Sequence, residues 1–428
     1  MSLLYAYYGD DFTGSTDVLE QLAEGGIDAV LFLREPDKAL RARFKDVQAI
    51  GIAGDSRSRS PQWMEDNLPS KFRALHDANI IHYKTCSTFD SSPEVGSIGK
   101  AMEIGIDLFG HPAAIVVAAP HLGRYVAFGN LFAKIGEDIL RIDRHPTMSR
   151  HPVTPMFEAD LIRHLQTQTR SAVSLFSLDK LKTDQIHATF DYAKTDSKAV
   201  LFDGVSMEDL RTTGALIVDN DIRFTVGSSG VTRALVSKWH EESRVNKKQT
   251  SGVVEEVKQL LVVSGSCSPV TAKQTSLANE KGYDAHLVDV SALLRGDVEE
   301  EQRLIELSLA SITRGKSCII HSADGPLDVS IEAAGDSLGK ALGRITKAVI
   351  LNTGLRRILF AGGDTSSHGV AQLDADAITW VAPIEVGAPL VRIHSQNEAI
   401  DGLEMVLKGG QMGGLNFFES VRCGRLIE

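Results

Sequence analysis

Short runs of uninterrupted apolar residues alternate with polar, turn-forming stretches along the first half of the chain. The first run, over 3–8 (LLYAYY), leads into the turn GDDFTGSTD at 9–17 and then a helical pattern over 18–23. Further strand-like runs stand at 28–33, 47–53, 80–83, 114–118, 172–176, 199–202 and 215–218. Strands apolar on both faces, with helical stretches between them, predict a parallel sheet covered on both sides. The polar stretch EESRVNKKQTSG at 241–252 predicts a linker. A second α/β series begins with 259–263 and includes 357–361. The expected fold class is therefore α/β in two domains, 1–245 and 253–428, each a mostly parallel sheet flanked by helices.

Open parallel sheets place ligands at the carboxyl ends of their strands, so the loops after these runs are the places to look for chemistry. In the first loop, Asp10 and Asp11 are adjacent carboxylates that repel each other. Helix N-terminal amides, a metal or the hydroxyls of a polyol would offset that repulsion, and either Asp also reads as a helix cap. Thr13 and Ser15 add hydroxyls beside them. The loop GDSRSRS at 54–60 offers Arg57 and Arg59. The loop KTCSTFDSS at 84–92 offers Lys84 and Ser87, and leads to a helix start at 96–99. Hydroxyls with one lysine suit a carboxylate and vicinal hydroxyls, and they also suit ordinary turns. His145 and His151 sit in a proline-broken loop without a third ligand at metal spacing, which reads as a structural or substrate-ordering loop.

In the second half, three turns rich in glycine and serine stand at 264–269 (SGSCSP), 362–369 (GGDTSSHG) and 408–414 (KGGQMGG). Glycine lets backbone amides approach phosphate oxygens, and Ser or Thr donates further bonds, so together the turns suggest a phosphate cradle. RGKS at 314–317 resembles the end of a P-loop, but Ala310 stands where the upstream glycine belongs, and no GxGxxG follows a strand.

Composition narrows the classes. The chain has 428 residues, 43% hydrophobic and 24% charged, as in a soluble globular protein. A net charge of -11 argues against nucleic acid and anionic membrane as partners. The four cysteines show no CxxC spacing, so neither a zinc site nor a disulfide framework is expected. Without a signal-peptide pattern or a membrane-length apolar run, the expected location is cytoplasmic.

Read together, DDFTGSTD at 10–17, the Ser-Arg loop, the Lys84 loop, GSCSPVT at 265–271, GGDTS at 362–366 and the closing glycine turn fall in one order. In that order the chain resembles the four-carbon acid sugar kinase family over nearly its whole length. The resemblance implies an N-terminal sugar-acid domain, a C-terminal nucleotide domain, and an active site in the cleft between them. It further implies ATP-dependent phosphorylation of a terminal hydroxyl on a four-carbon acid sugar of the 3-oxo-tetronate, threonate or erythronate type. A branched relative such as 3-oxo-isoapionate is the alternative substrate, and a non-catalytic sensor of sugar acid and nucleotide is the alternative role. Magnesium would accompany ATP, and a homodimer is compatible with the resemblance. Carried over by position, Asp10, Asp11, Thr13, Arg57, Lys84 and Ser87 would meet the substrate. Ser266, Gly363, Asp364, Thr365, Ser366, Gly409 and Gly410 would meet ATP. To orient the terminal hydroxyl or accept its proton, Asp11 is the first candidate because it sits at a strand end, and Asp364 is the second. One departure stands out: where the family commonly reads Lys-x-Asp-Ser-Thr-x-Arg-Gly-Asn, this chain has Cys86 for the Asp and lacks the Arg.

Overall fold

The structure, a computed structural model, describes residues 3–426 except 196, 247–253, 323–334 and 386, and does not describe the side chains of Gly335 and Asp364. Half of the predicted linker, 247–252, therefore lies outside the described residues. The chain divides into two compact units, Met1–Lys248 and Gln249–Glu428.

The first unit contains β1 (Leu3–Gly9), β2 (Ala29–Phe32), β3 (Ala49–Ala53), β4 (Ala78–Lys84), β5 (Ala113–Val116), β6 (Arg124–Ala127), β7 (Asn130–Ile135), β8 (Asp138–Arg141), β9 (Val173–Phe176), β10 (Ala199–Phe202) and β11 (Phe224–Gly227). Its main sheet runs in the order β2-β3-β1-β4-β11-β5-β10-β9, every described pair parallel. β1, β2 and β5 are buried along their whole length, as strands covered on both faces must be. β6, β7 and β8 form a separate antiparallel meander that the apolar pattern did not reveal.

The run at 215–218, expected as a strand, belongs instead to the helix Met207–Asp219. Leu210, Thr213, Gly214 and Ile217 are buried at the i, i+3, i+4, i+7 spacing of a helix face, and Ser206 with Asp209 forms a capping box at its start. The strand that does enter the sheet there is β11, only four residues long.

A buried polar chain crosses the core. Tyr5 Oη lies 2.5 Å from His82 Nδ1 and 3.0 Å from Thr232 Oγ1, while His82 Nε2 lies 3.0 Å from the Gly227 carbonyl. Burial pushes the His82 pKa down to about 3. The ring is therefore neutral, donating from Nε2 and accepting the Tyr5 hydroxyl proton at Nδ1.

The second unit contains β12 (Leu261–Ser264), β13 (Asp284–Leu287), β14 (Cys318–His321), β15 (Arg357–Ala361), β16 (Ala375–Ala382), β17 (Leu390–Ser395) and β18 (Glu404–Lys408). Its order is β13-β14-β12-β15-β18-β17-β16; the first five are mutually parallel, and β17 and β16 continue antiparallel. The RGKS stretch holds no phosphate-binding loop, because Arg314 and Lys316 both pair with Asp284 at 2.7 Å.

Candidate functional site

In the first unit the chain reverses direction of winding at β1, which has β3 on one side and β4 on the other. Gly9 is in register with Ala53 and with Lys84. The loops after β1, β3 and β4, far apart in sequence, therefore share one sheet edge, where open α/β sheets bind ligands. Backbone bonds tie them together: Asp10 N–H donates to the Lys84 carbonyl (2.9 Å) and Arg57 N–H to the Asp10 carbonyl (3.1 Å).

The tandem aspartates have different tasks. Asp11 caps the helix Phe12–Glu24, its Oδ1 accepting the Gly14 N–H at 2.5 Å, while its Oδ2 takes Arg57 Nη1 at 2.8 Å. Asp10 is buried, and its Oδ1 has no hydrogen-bond partner among the described residues. Burial and the neighbouring Asp11 charge push its pKa up to about 8, against the pull of Arg57 and Lys84.

Arg57 bridges two carboxylates, donating from Nη2 to both oxygens of Asp90 at 2.9 Å as well as to Asp11. Asp90 also accepts from Thr88 (2.5 Å) and Thr154 (2.8 Å). Burial alone would raise the Asp90 pKa, but the Arg57 charge and these hydroxyls hold it below the ordinary carboxylate value. Asp90 occupies the position where the family pattern has Arg, and Cys86 lies two residues from Thr88, whose hydroxyl is 2.9 Å from its sulfur. In this chain the residue at that position pairs with Arg57.

Lys84 is buried, its Nζ donating to the Thr85 carbonyl at 2.9 Å and standing 3.9 Å from Asp17 Oδ2. A Cβ on Gly14 would sit 2.7 Å from Asp11 Oδ1 and 2.8 Å from Lys84 Nζ, so a larger residue there would displace one of these side chains. Ser87 is half-buried in the turn beyond Lys84, and Thr13 is exposed in the first helical turn.

Two contributors here escaped the sequence reading. Thr154 comes from a loop with no motif of its own. His121, in the turn Pro120–Leu122, has both ring nitrogens buried without a hydrogen-bond partner among the described residues. Burial and Arg233 push its pKa down to about 4, with Asp17 opposing. His145 and His151 are structural: His145 Nδ1 accepts from Thr147 N–H at 3.2 Å, and His151 Nδ1 from Thr154 N–H at 3.0 Å.

The second unit repeats the principle with different chemistry. Ser264 is in register with Ala361, and Ala361 with Lys408. The three glycine-rich turns therefore follow adjacent parallel strands β12, β15 and β18. Ser266 Oγ accepts the Ser268 N–H (3.2 Å), and Ser366 Oγ donates to the Gly362 carbonyl (2.6 Å). Thr365 is buried in the first turn of the helix Gly363–Val370. Asp364 is part of that helix, and its side chain lies outside the described residues. Gly409 N–H points at Met412 Sδ (3.3 Å), and Gln274 Nε2 donates to the carbonyls of Met412, Gly413 and Gly414, pinning the closing turn. The helix Pro269–Glu280 begins at this edge. Backbone amides, hydroxyls and helix N-termini gathered at one edge suit an anion. Among the described residues no group of three His, Cys, Asp or Glu side chains could hold a metal ion. No described helix is long and apolar enough to cross a membrane.

Comparison with known proteins matches these halves separately. Residues 5–235 match the family described as a sugar-binding N-terminal domain, and residues 261–418 the family described as a nucleotide-binding C-terminal domain. A sugar domain followed by a nucleotide domain defines the class: a carbohydrate kinase. The chain is 41% identical to a 3-oxo-isoapionate kinase of Paraburkholderia graminis, covering 99% of this chain and 95% of that protein. It is 30% identical to a 3-oxo-tetronate kinase of Pseudomonas fluorescens, covering 96% and 94%. The chain belongs to the four-carbon acid sugar kinase family and is a kinase that uses ATP to phosphorylate a small acid sugar. Crystal structures of a Salmonella typhimurium protein (TM-score 0.82, 22% identity, 100% of both chains) and a Haemophilus influenzae protein (TM-score 0.78, 22% identity, 99% and 100%) share its fold.

Proposed function

We propose that the enzyme transfers the γ-phosphoryl group of ATP to the terminal hydroxyl of a 3-oxo acid sugar of the tetronate type, bound at the carboxyl edge of β3, β1 and β4. The observation that carries this reading is the buried Oδ1 of Asp10, unpartnered among the described residues, beside Arg57 and Lys84. Asp11 has both oxygens engaged in a cap and an ion pair, so Asp10, not Asp11, is the better proton acceptor. In the reaction the hydroxyl oxygen bonds to the γ-phosphorus, the bond to the β-phosphate oxygen breaks, ADP leaves, and the hydroxyl proton passes to Asp10.

Lys84, Thr13, Ser87 and His121 supply further contacts for the carboxylate and hydroxyls of the acid, and Arg57 positions Asp11. Ser266, Gly363, Thr365, Ser366, Gly409 and Gly410 contact the nucleotide, with Asp364 in the same turn. Magnesium accompanying ATP would supply neutralisation of the phosphate charge at these turns.

A second reading, that the acceptor is the branched 3-oxo-isoapionate, is favoured by the 41% identity to a kinase of that name and by the Cys86 and Asp90 departures in the Lys84 loop. ADP release measured with 3-oxo-tetronate, 3-oxo-isoapionate, threonate and erythronate tests both. Turnover with a 3-oxo acid supports the proposal, the higher kcat/KM chooses between the two, and turnover with none of the four refutes it.

A further inference from the structure

Lys408 ends β18 and is buried, 2% exposed, directly before Gly409 and Gly410. Its Nζ donates to Thr271 Oγ1 at 2.8 Å and approaches the Gly410 carbonyl at 3.4 Å, while Thr271 donates to the same carbonyl at 2.7 Å. Thr271 lies in the first turn of the helix Pro269–Glu280, so the ammonium sits beside the positive end of a helix dipole. Among the described residues no carboxylate pairs with it. A cation held away from water beside another positive pole is an unfavourable arrangement unless an anion joins it. Gly410 brings the closing turn against the first one, so close to Ser266 Oγ that a Cβ would collide with it, and the ammonium therefore stands where these two glycine- and serine-rich turns meet. Burial lowers the Lys408 pKa to about 8, and an arriving anion would restore the proton.

We propose that Lys408 binds the polyphosphate of the nucleotide, its ammonium turning from Thr271 to a phosphate oxygen lying over the Gly409–Gly410 turn. This rests on the reading that the second unit takes ATP, and it adds a buried lysine to that cradle. Sequence reasoning passed over it because a lone lysine before Gly-Gly has no motif, and only the strand register shows that it faces the other two turns.

The test is calorimetric binding of ADP to the full chain and to K408M, with thermal melting to confirm that the variant folds. Loss of a charged hydrogen bond predicts ADP binding about 10- to 100-fold weaker in K408M. Failure of the wild-type chain to bind ADP would refute the nucleotide reading itself. Wild-type binding matched within twofold by a folded K408M would overturn the role of Lys408 alone. Should K408M not fold, wild-type crystals soaked with ADP decide: a phosphate oxygen within hydrogen-bond distance of Nζ supports the proposal, and an ammonium still bonded only to Thr271 overturns it.

Discussion

At the scale of single residues, two neighbours of the same type have been given opposite environments. Asp11 has both carboxylate oxygens engaged, whereas Asp10 is buried with one oxygen unpartnered among the described residues. Its pKa, raised from the ordinary 3.8 to about 8, has a thermodynamic sign that can be checked. Between those values the folded state keeps a proton that the unfolded chain has released, so stability falls as pH rises from about 4 to about 8 and then levels. Asp10→Asn cannot ionise; its melting temperature should exceed that of the wild type at pH 8.5, with a smaller difference at pH 5. If Asp10 accepts the hydroxyl proton, wild-type kcat/KM should climb toward pH 8 and kcat of the variant should drop about 100-fold or more. A variant no more stable than wild type at pH 8.5 would show that Asp10 is not a buried carboxyl with a raised pKa. The adjacency of two aspartates was plain in the sequence; which of them caps the helix and which stays unpartnered was not. That division depends on Arg57, which arrives from a loop more than forty residues away.

At the scale of elements, loops are held in place by ions rather than by length. Arg57 joins the turn after β3 to the helix cap after β1 and to Asp90 beyond β4. Removing it leaves the Asp90 carboxylate buried without its cation, which costs about 3 kcal/mol or more. Arg57→Ala should therefore lower the midpoint of urea unfolding markedly, and adding Asp90→Asn should recover part of the loss; additive losses would argue against the pair. Parallel strands were legible because an element buried on both faces must be apolar throughout. The error at 215–218 arose because four apolar residues also complete a helical stripe with Leu210 and Thr213. The meander β6–β8 was not found, since half-exposed strands carry little apolar signal, and β11 was missed because its Phe-Thr-Val-Gly run holds only two apolar residues.

For the whole molecule, one device is used twice. Each unit sets three consecutive turns at the carboxyl ends of neighbouring parallel strands, and the chemistry of those turns decides what is held. Carboxylates with an embedded lysine and arginine collect in the first unit, and glycines, hydroxyls and a buried lysine in the second. The order of motifs made both sets visible in the sequence, but the spatial order β3-β1-β4 and β12-β15-β18 comes only from the sheet. The central claim is that acceptor and nucleotide are bound by different units, and a crossed comparison of two variants tests it most directly. ADP affinity and acid-sugar affinity are measured by calorimetry for wild type, Asp10→Asn and Gly410→Ala. The account predicts that Gly410→Ala, whose new methyl meets Ser266 Oγ, weakens ADP about tenfold or more and leaves the acid sugar unaffected. It predicts that Asp10→Asn leaves ADP affinity within twofold while turnover collapses. Loss of ADP binding in Asp10→Asn, with Gly410→Ala binding ADP normally, would contradict it.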